Sequence, residues 1–400
     1  MKRYLATFLA IVLLLSGLTA IASAEGWKKE TMQGWEYWTY VKADGSLACD
    51  EWLQIGGNWY YFDTTILAQS TTIYDGGEAY LMGESGAWTG VKTNKPGWIQ
   101  KGGNWYYAHD DWGDIWFMVN EPYRFKDGTW YGFDKDGKMA VNGWYWEDDG
   151  EDYKYWYYAG NDSKLVKGWK QIDGIWYFFN DGENSYPIMA REGVRWIHDQ
   201  RYAFESSGAL VMNKWYQETW KDWETGEIYK GNWVHASASG VLDTGWFKDG
   251  GKWYYLDKES GYMYHWGFTD IDGKTYYFDE DAGYMYQNKW YGFVSDWGDQ
   301  GTQTDWYYFG EDGAMATGWF QTGGQWYWAD DWGTVMFGIM EIDGKWYYLD
   351  PDSYALRTGW IKDGTMWFYG KDDGSLAWNE TIKINGVDYT FGDNGALVEK

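Results

Sequence analysis

The chain has few of the residue types on which catalytic and metal sites most often depend. Its 400 residues include one cysteine, Cys49, and four histidines, His109, His198, His235 and His265, which are scattered singly. A single cysteine excludes a disulfide framework, and isolated histidines lack the spacing of metal ligands. We therefore expect no disulfide, no metal ion and no cofactor.

Long apolar runs are also scarce, and the only one lies at the N-terminus. Lys2 and Arg3 precede an apolar run of about 15 residues, and Ala22-Ser23-Ala24 supplies small residues before Glu25. A membrane anchor is the alternative, but it needs about 20 apolar residues to span a bilayer. We predict a cleaved signal peptide over residues 1–24 and a secreted product, with no membrane insertion after cleavage.

Basic residues are outnumbered throughout the chain. There are 33 Lys and Arg residues against 60 Asp and Glu residues, a formal charge of −27. Removal of Lys2 and Arg3 with the signal peptide leaves 31 basic residues and a charge of −29. Such a surface repels nucleic acid and anionic lipid, so we expect no nucleic-acid partner. It is compatible with neutral sugars and favours cationic groups.

Aromatic residues and glycine are in large excess, with 35 Trp, 38 Tyr and 54 Gly. Disordered segments are depleted in aromatics, so the excess indicates a repeated folded unit. In the clearest copies a Gly-Trp pair precedes a second Trp by seven positions, with a glycine-containing turn between them. These copies begin at Gly97-Trp98, Gly168-Trp169, Gly245-Trp246, Gly318-Trp319 and Gly359-Trp360.

The repeat predicts the fold. Aromatic runs favour strands, and a short glycine-containing turn between two runs is typical of a β-hairpin. A lone hairpin is barely stable in water, so the hairpins must stack on their neighbours. We predict an all-β fold, an elongated β-hairpin solenoid of about sixteen aromatic repeats of roughly 20–30 residues. The repeats fill residues 25–400 and leave no separate catalytic domain, with longer turns at residues 147–152 and 296–301.

The unit resembles the cell-wall-binding repeats in the choline-binding modules of Gram-positive surface proteins and phage lysins. It is also similar to the glucan-binding repeats of secreted glucansucrases and to the receptor-binding repeats of clostridial toxins. The resemblance covers about residues 27–400. It implies binding sites between consecutive hairpins, each an aromatic box made of the Gly-Trp tryptophan, the hairpin tryptophan and a tyrosine of the next hairpin, with a methionine nearby.

The resemblance assigns candidate boxes to this sequence. The first comprises Trp319, Trp326 and Tyr347 with Met340 as a wall, the second Trp246, Trp253 and Tyr277 with Met263, and the third Trp98, Trp105 and Tyr131. Trp52 with Trp59 lacks a clear third wall, and Trp360 with Trp367 leads into Tyr389-Thr390. We expect about a third of the Trp and Tyr rings to face ligand and the rest to form the core.

Two ligand classes remain open at this level. Aromatic faces bind quaternary ammonium groups, which predicts attachment to choline-substituted teichoic acid or polysaccharide at the cell wall. The same rings could stack on sugars, which predicts a glucan- or host-glycan-binding adhesin. Enzymatic activity is not expected, because acidic pairs such as Asp110-Asp111 and Asp330-Asp331 occupy repeated turns in which adjacent carboxylates seldom converge on one bond.

Overall fold

The computed structural model describes residues 24–32, 34–148, 154–222, 224–296 and 302–399. Except for Ala24, the signal peptide predicted over residues 1–24 lies outside the described residues, as does most of the two predicted long turns at 147–152 and 296–301. The described residues form strands and turns and no helix. They accordingly contain no helical segment long and apolar enough to cross a membrane.

Short strands follow one another along all of the described chain. The first eighteen are β1 (Gly26–Met32), β2 (Trp35–Val41), β3 (Glu51–Ile55), β4 (Asn58–Asp63), β5 (Ile66–Leu67), β6 (Thr71–Asp75), β7 (Glu78–Met82), β8 (Trp88–Thr93), β9 (Gly97–Lys101), β10 (Asn104–Asp111), β11 (Asp114–Phe117), β12 (Glu121–Arg124), β13 (Trp130–Phe133), β14 (Gly143–Asp148), β15 (Lys154–Ala159), β16 (Gly168–Ile172), β17 (Ile175–Phe179) and β18 (Gly193–Ile197). The others are β19 (Gln200–Phe204), β20 (Lys214–Lys221), β21 (Ile228–Ala236), β22 (Gly245–Asp249), β23 (Lys252–Leu256), β24 (Gly267–Ile271), β25 (Lys274–Phe278), β26 (Lys289–Asp296), β27 (Thr302–Phe309), β28 (Gly318–Thr322), β29 (Gln325–Ala329), β30 (Gly338–Ile342), β31 (Lys345–Leu349), β32 (Gly359–Asp363), β33 (Met366–Gly370), β34 (Thr381–Ile384), β35 (Val387–Phe391) and β36 (Leu397–Glu399).

The strands pair locally into small sheets. Within the described ranges there are twelve two-stranded and four three-stranded sheets, each built around one antiparallel hairpin. The sixteen sheets correspond one to one with the sixteen aromatic clusters of the sequence. The prediction of an all-β array of about sixteen hairpin repeats is confirmed.

The hairpin β22–β23 shows how sequence fixes the register. Its strands are joined by Gly250 and Gly251, whose φ angles of 55° and 82° suit the two-residue turn that matches strand twist. Trp246 pairs with Tyr255, and Lys248 pairs with Trp253. Because side chains alternate along a strand, these four residues share one face of the hairpin.

The most deeply buried residues lie at or next to the end of the return strand of the hairpins. The largest of them are phenylalanines, and nearly all are completely buried: Phe62, Phe133, Phe179, Phe204, Phe278, Phe309 and Phe391. Smaller residues such as Leu256 and Ala329 take the same place in other hairpins and are also fully buried. The core is therefore not only the Trp and Tyr rings that composition suggested.

Backbone hydrogen bonds connect most of the hairpins to the one before them. The amide of Met285, in the loop that follows β24–β25, donates to the carbonyl of Trp253 in β23 at 2.7 Å. Met285 also bridges to Phe278 at the end of its own hairpin. The same bond recurs at most steps: Met139 to Trp105, Leu165 to Trp130, Met189 to Trp156, Met315 to Thr275, Val335 to Trp306, Leu356 to Trp326 and Leu376 to Trp346.

Glycines in these loops leave room for the aliphatic residue of the preceding loop. Gly313 has a φ of +78°, and a Cβ added there would lie 2.2 Å from Cε of Met285. Gly283 is placed in the same way over Met263. The recurrent Gly-x-Met/Leu pattern is therefore a packing requirement between consecutive repeats.

The chain divides into two compact units. The first comprises the residues up to Ile197 together with Tyr202–Val211, and the second comprises His198–Arg201 and the residues from Met212 onwards. The hairpin stacking described above occurs within each unit, at Met139, Leu165 and Met189 in the first and at Met285, Met315 and Leu376 in the second.

Candidate ligand-binding boxes

Two tryptophans of one hairpin form the first two walls of each candidate site. In β22–β23, Trp246 follows the glycine that opens the hairpin, and Trp253 is the first aromatic residue of the return strand. Their ring centroids are 6.4 Å apart, and their planes meet at 87°. Both rings are accessible, with Trp246 38% exposed. The pair forms a right-angled corner that is open to solvent, and we name the site the Trp246 box.

The third wall comes from the next hairpin, as the sequence predicts, but from a different residue. The ring of Tyr276 lies 4.8 Å from that of Trp246, at 65°. Tyr277, the predicted wall, faces the other way and lies against Tyr291 at 4.1 Å. Thr275 occupies the strand position that a tryptophan takes in most repeats. The tyrosine in register with the other boxes is therefore the first of the pair, and the assignment of Tyr277 to this box is wrong.

The aliphatic wall is also displaced by one repeat from its predicted position. Met285 packs in the same buried cluster as Tyr276 and is bonded through its amide to Trp253. Met263, predicted beside this box, is bonded instead to Trp233 of the preceding hairpin. The methionine therefore comes from the loop after the second hairpin, because only that residue reaches back to the first one.

Trp319, Trp326 and Tyr347 also lie together in the structure. The ring of Tyr347 lies 4.8 Å from that of Trp319, at 63°. All three rings line one cleft of about 420 Å³, and Trp326 is 46% exposed. Met340 is paired across the hairpin from Tyr347 and does not line this cleft. Leu356 takes that place, which corresponds to Met285 in the Trp246 box.

The box of Trp98, Trp105 and Tyr131 has the same frame with one addition. The two tryptophan rings are 6.2 Å apart at 89°, and Tyr131 lies 5.3 Å from Trp98. The ring of Phe125 stacks on Trp98 at 5.2 Å with nearly parallel planes. One face of Trp98 is therefore partly covered by the chain itself.

Two boxes with the same frame were missed in the sequence because more residues separate their two tryptophans than in the clearest repeats. Trp27, Trp38 and Tyr60 form one box, with the tryptophan rings 6.4 Å apart at 89°. Trp144, Trp156 and Tyr177 form the other, with the tryptophan rings 6.3 Å apart at 82°. The signal that finds them is a Gly-Trp pair followed by the next aromatic run, whatever the number of residues between them.

The next hairpin also supplies a third wall to the Trp360–Trp367 and Trp52–Trp59 pairs, for which the sequence pattern gives no clear one. Tyr389 lies 4.9 Å from Trp360, which itself meets Trp367 at 6.2 Å and 85°. Tyr80 lies 5.1 Å from Trp52 and supplies the wall next to the Trp52–Trp59 pair. The boxes at Trp27, Trp98, Trp144, Trp246 and Trp360 thus share one geometry of the tryptophan pair. Leu397 also lines the box at Trp360.

Charge is unevenly distributed among the boxes. Asp372 and Asp373 line the cleft of the Trp319 box. The Ser375 hydroxyl and the Lys345 ammonium hold the pKa of Asp373 well below its usual range. In the Trp246 box, Lys248 lies opposite Trp253 in the strand register. Since Asp373 is paired with Lys345 at 3.0 Å, Asp372 is the carboxylate that can favour a cation at the Trp319 box, whereas Lys248 opposes one at the Trp246 box.

The residues considered for catalysis or metal binding are not brought together. Among the described residues no group of three or more His, Cys, Asp or Glu side chains could hold a metal ion. In the Asp110-Asp111 and Asp330-Asp331 turns, Asp110 and Asp330 accept backbone amide hydrogen bonds, from Gly113 and from Trp332 and Thr334 respectively. These two carboxylates hold the turns, which is the role of such residues in many hairpin loops.

The geometry defines an array of hairpin repeats that carry aromatic boxes between neighbours. The model of the family described as "Putative cell wall binding repeat" matches nine segments of the chain: residues 50–65, 97–115, 167–183, 244–263, 267–285, 304–315, 317–334, 341–352 and 358–376. These nine segments are cell wall binding repeats of that family.

Three solved structures are similar to this chain at low identity and with TM-scores below 0.5. Choline binding protein F from Streptococcus pneumoniae is 23% identical, with 94% of this chain and 100% of that chain covered and a TM-score of 0.22. The choline-binding domain of CbpL from Streptococcus pneumoniae is 25% identical, with 57% and 100% covered and a TM-score of 0.34. The modular autolysin LytC from Streptococcus pneumoniae is 21% identical, with 80% and 51% covered and a TM-score of 0.27. No curated protein matches the sequence.

Proposed function

We propose that this protein is a secreted cell-surface protein that attaches non-covalently to choline-bearing polymers of a cell wall. Each intact box binds one choline group between its tryptophan and tyrosine rings. The observation that carries the proposal is the repeated right-angled corner, with tryptophan centroids 6.2–6.4 Å apart and planes at 82–89° in five boxes.

The lining of the Trp360 box suits a quaternary ammonium better than a sugar. A quaternary ammonium has no N–H to donate, so ring faces and aliphatic contacts are its natural partners, at about 0.5–2 kcal/mol per ring. The Trp360 box is lined by Trp360, Trp367 and Leu397, which offer almost no polar surface. A sugar hydroxyl buried there would lose hydrogen bonds to water without replacement.

Weak single boxes are sufficient if the ligand is repeated. A polymer that carries many choline groups can occupy several boxes of one chain, and the second and later contacts are intramolecular. Overall avidity can then exceed the affinity of one box by about 10²- to 10⁴-fold. The repeated array is therefore suited to retention on a wall surface.

Retention on a choline matrix tests the proposal. The full chain should bind immobilised choline at neutral pH and should be eluted by free choline. Elution by an equal concentration of ethanolamine should be much weaker, because a primary ammonium is smaller and more strongly hydrated. If the chain is not retained on choline, the proposal fails.

A glycan ligand is the alternative outcome of the same experiment. Retention on dextran or on a glycan array that is insensitive to free choline would assign the boxes to sugar stacking. We also propose that the chain acts by binding and not by catalysis, so wall preparations should show no hydrolysis on incubation with it. N-terminal sequencing of the exported product tests secretion, and Glu25 is the expected first residue.

A further inference from the structure

One strand position faces every box and varies in charge from repeat to repeat. It is the residue two places after the Gly-Trp tryptophan, opposite the hairpin tryptophan in the register, and we call it the rim residue. Lys248 opposes Trp253 in β22–β23, and Lys362 opposes Trp367 in β32–β33. In β28–β29 the rim residue is Gln321. Residues that are directly opposite in a hairpin share a face and are in contact range.

The two rim lysines hold their charge close to a box wall. Nζ of Lys248 is 5.3 Å from the ring centroid of Trp253, and Nζ of Lys362 is 5.8 Å from that of Trp367. Both side chains are exposed, and within the described part of the chain no carboxylate forms an ion pair with either. A bare cation entering either box therefore meets an uncompensated positive charge.

Other rim positions show that this charge is a property of particular boxes. In β1–β2 the rim residue is Lys29, opposite Trp38, but its ammonium pairs with Glu36 at 2.6 Å. The Trp319 box has the neutral Gln321 at the rim and Asp372 in its cleft. The boxes thus differ in the charge they present beside otherwise similar rings.

We propose that Lys248 and Lys362 make their boxes selective for a zwitterionic ligand, in which an anionic group is a few bonds from the quaternary ammonium. Phosphocholine is the simplest probe of this class. The ammonium group of the ligand sits against the tryptophan rings, and its phosphate pairs with Nζ of the rim lysine. The inference rests on the proposed choline-binding function and divides the boxes into two classes. The Trp319 box, with the neutral Gln321 at its rim, prefers choline, which carries no anionic group.

The expected size of the preference follows from the exposure of the lysines. An exposed ion pair contributes modestly, so phosphocholine should bind a lysine-rimmed box about two- to fivefold more tightly than choline does. The preference should weaken as salt is added, since exposed charges are screened. At the Trp319 box the order should reverse, because Asp372 repels the phosphate.

Calorimetric titration of the full chain with choline and with phosphocholine tests the inference. The native chain should have a class of sites that prefers phosphocholine, and the double variant Lys248→Gln, Lys362→Gln should lose this preference while still binding choline. Lys221→Gln, a single substitution of the same kind at the end of β20, should leave the preference unchanged. The reciprocal variant Gln321→Lys should weaken the preference of the Trp319 box for choline over phosphocholine.

The outcomes distinguish a failure of the proposed function from a failure of the rim-lysine inference. If the native chain binds neither ligand, the proposed function itself fails. If it binds choline normally but the double variant keeps the native phosphocholine preference, the rim-lysine inference is overturned and the function stands. A phosphocholine-soaked crystal in which the phosphates lie away from Lys248 and Lys362 would overturn it as well.

Discussion

Two aromatic rings in neighbouring repeats have opposite expected roles, and the same substitution can distinguish them. Trp326 is a box wall and is 46% exposed, whereas Phe309 ends its return strand and is completely buried. Replacing each by leucine removes an aromatic face and keeps an aliphatic side chain. Trp326→Leu should weaken ligand binding with little loss of stability. Phe309→Leu should do the reverse.

The magnitudes follow from what each ring contacts. The exposed face of Trp326 contributes one of three cation–π walls, so its loss should cost about 0.5–2 kcal/mol, or about 2- to 30-fold in affinity at that box. Phe309 packs against Phe268, Tyr277 and Tyr286 at centroid distances of 5.9–6.2 Å. Leucine leaves part of that space empty, and the resulting cavity should cost about 1–2 kcal/mol.

Binding and stability are measured on the same two variants. Calorimetric titration with choline should show one site fewer, or one site much weaker, for Trp326→Leu and an unchanged number for Phe309→Leu. The midpoint of urea unfolding, followed by tryptophan fluorescence, should fall clearly for Phe309→Leu. An unchanged site number for Trp326→Leu, or a lost site for Phe309→Leu, would refute the separation of box rings from core rings.

Two further predictions concern the loops. Gly313→Ala should lower the unfolding midpoint more than Gly273→Ala: both glycines have φ near +80°, but only a Cβ at 313 meets Met285, while that at 273 meets nothing. Equal effects would show that conformational strain alone explains the loss. Hydrogen bonds from the Ser260 amide and hydroxyl hold the pKa of Asp257 below its ordinary value of 3.8. Stability from this carboxylate is therefore complete above the unfolded pKa and is lost as pH falls through the lower folded pKa. Asp257→Asn should make unfolding less sensitive to acid, and an identical pH profile would contradict this.

The hairpins were predictable because their signals are local. A Gly-Trp pair and a second Trp seven positions later fix the register once a two-residue turn lies between them. That register places Trp246 and Trp253 on one face, as the structure confirms. Relations between hairpins were harder, because they depend on which residue of the next repeat occupies each strand position. Thr275 occupies the strand position at which most repeats have a tryptophan. The sequence pattern therefore points to Tyr277 as the third wall, whereas Tyr276 is the neighbour of Trp246.

The buried residues at the strand ends and the aliphatic wall could not be read from the aromatic pattern. The last residue of the return strand varies from Phe278 to Leu256 to Ala329, and all are buried because the position is enclosed, whatever its size. The wall residue is set by a backbone bond from a loop amide to the preceding hairpin. Any aliphatic side chain can follow that bond, and this is why Leu356 stands where a methionine was expected.

The way the repeats are joined explains how boxes can degenerate without loss of the fold. At Thr275 the tryptophan wall is absent, yet the carbonyl of this residue still accepts the amide of Met315 at 2.8 Å. Phe268 replaces the other tryptophan and still contacts Tyr307 at 4.8 Å, above the buried Phe309. Stacking thus depends on a backbone bond and a buried phenyl ring, whereas binding depends on the side chains that line the open corner. Stacking and ligand binding therefore depend on different atoms, and a repeat can lose its binding site while it continues to support its neighbours.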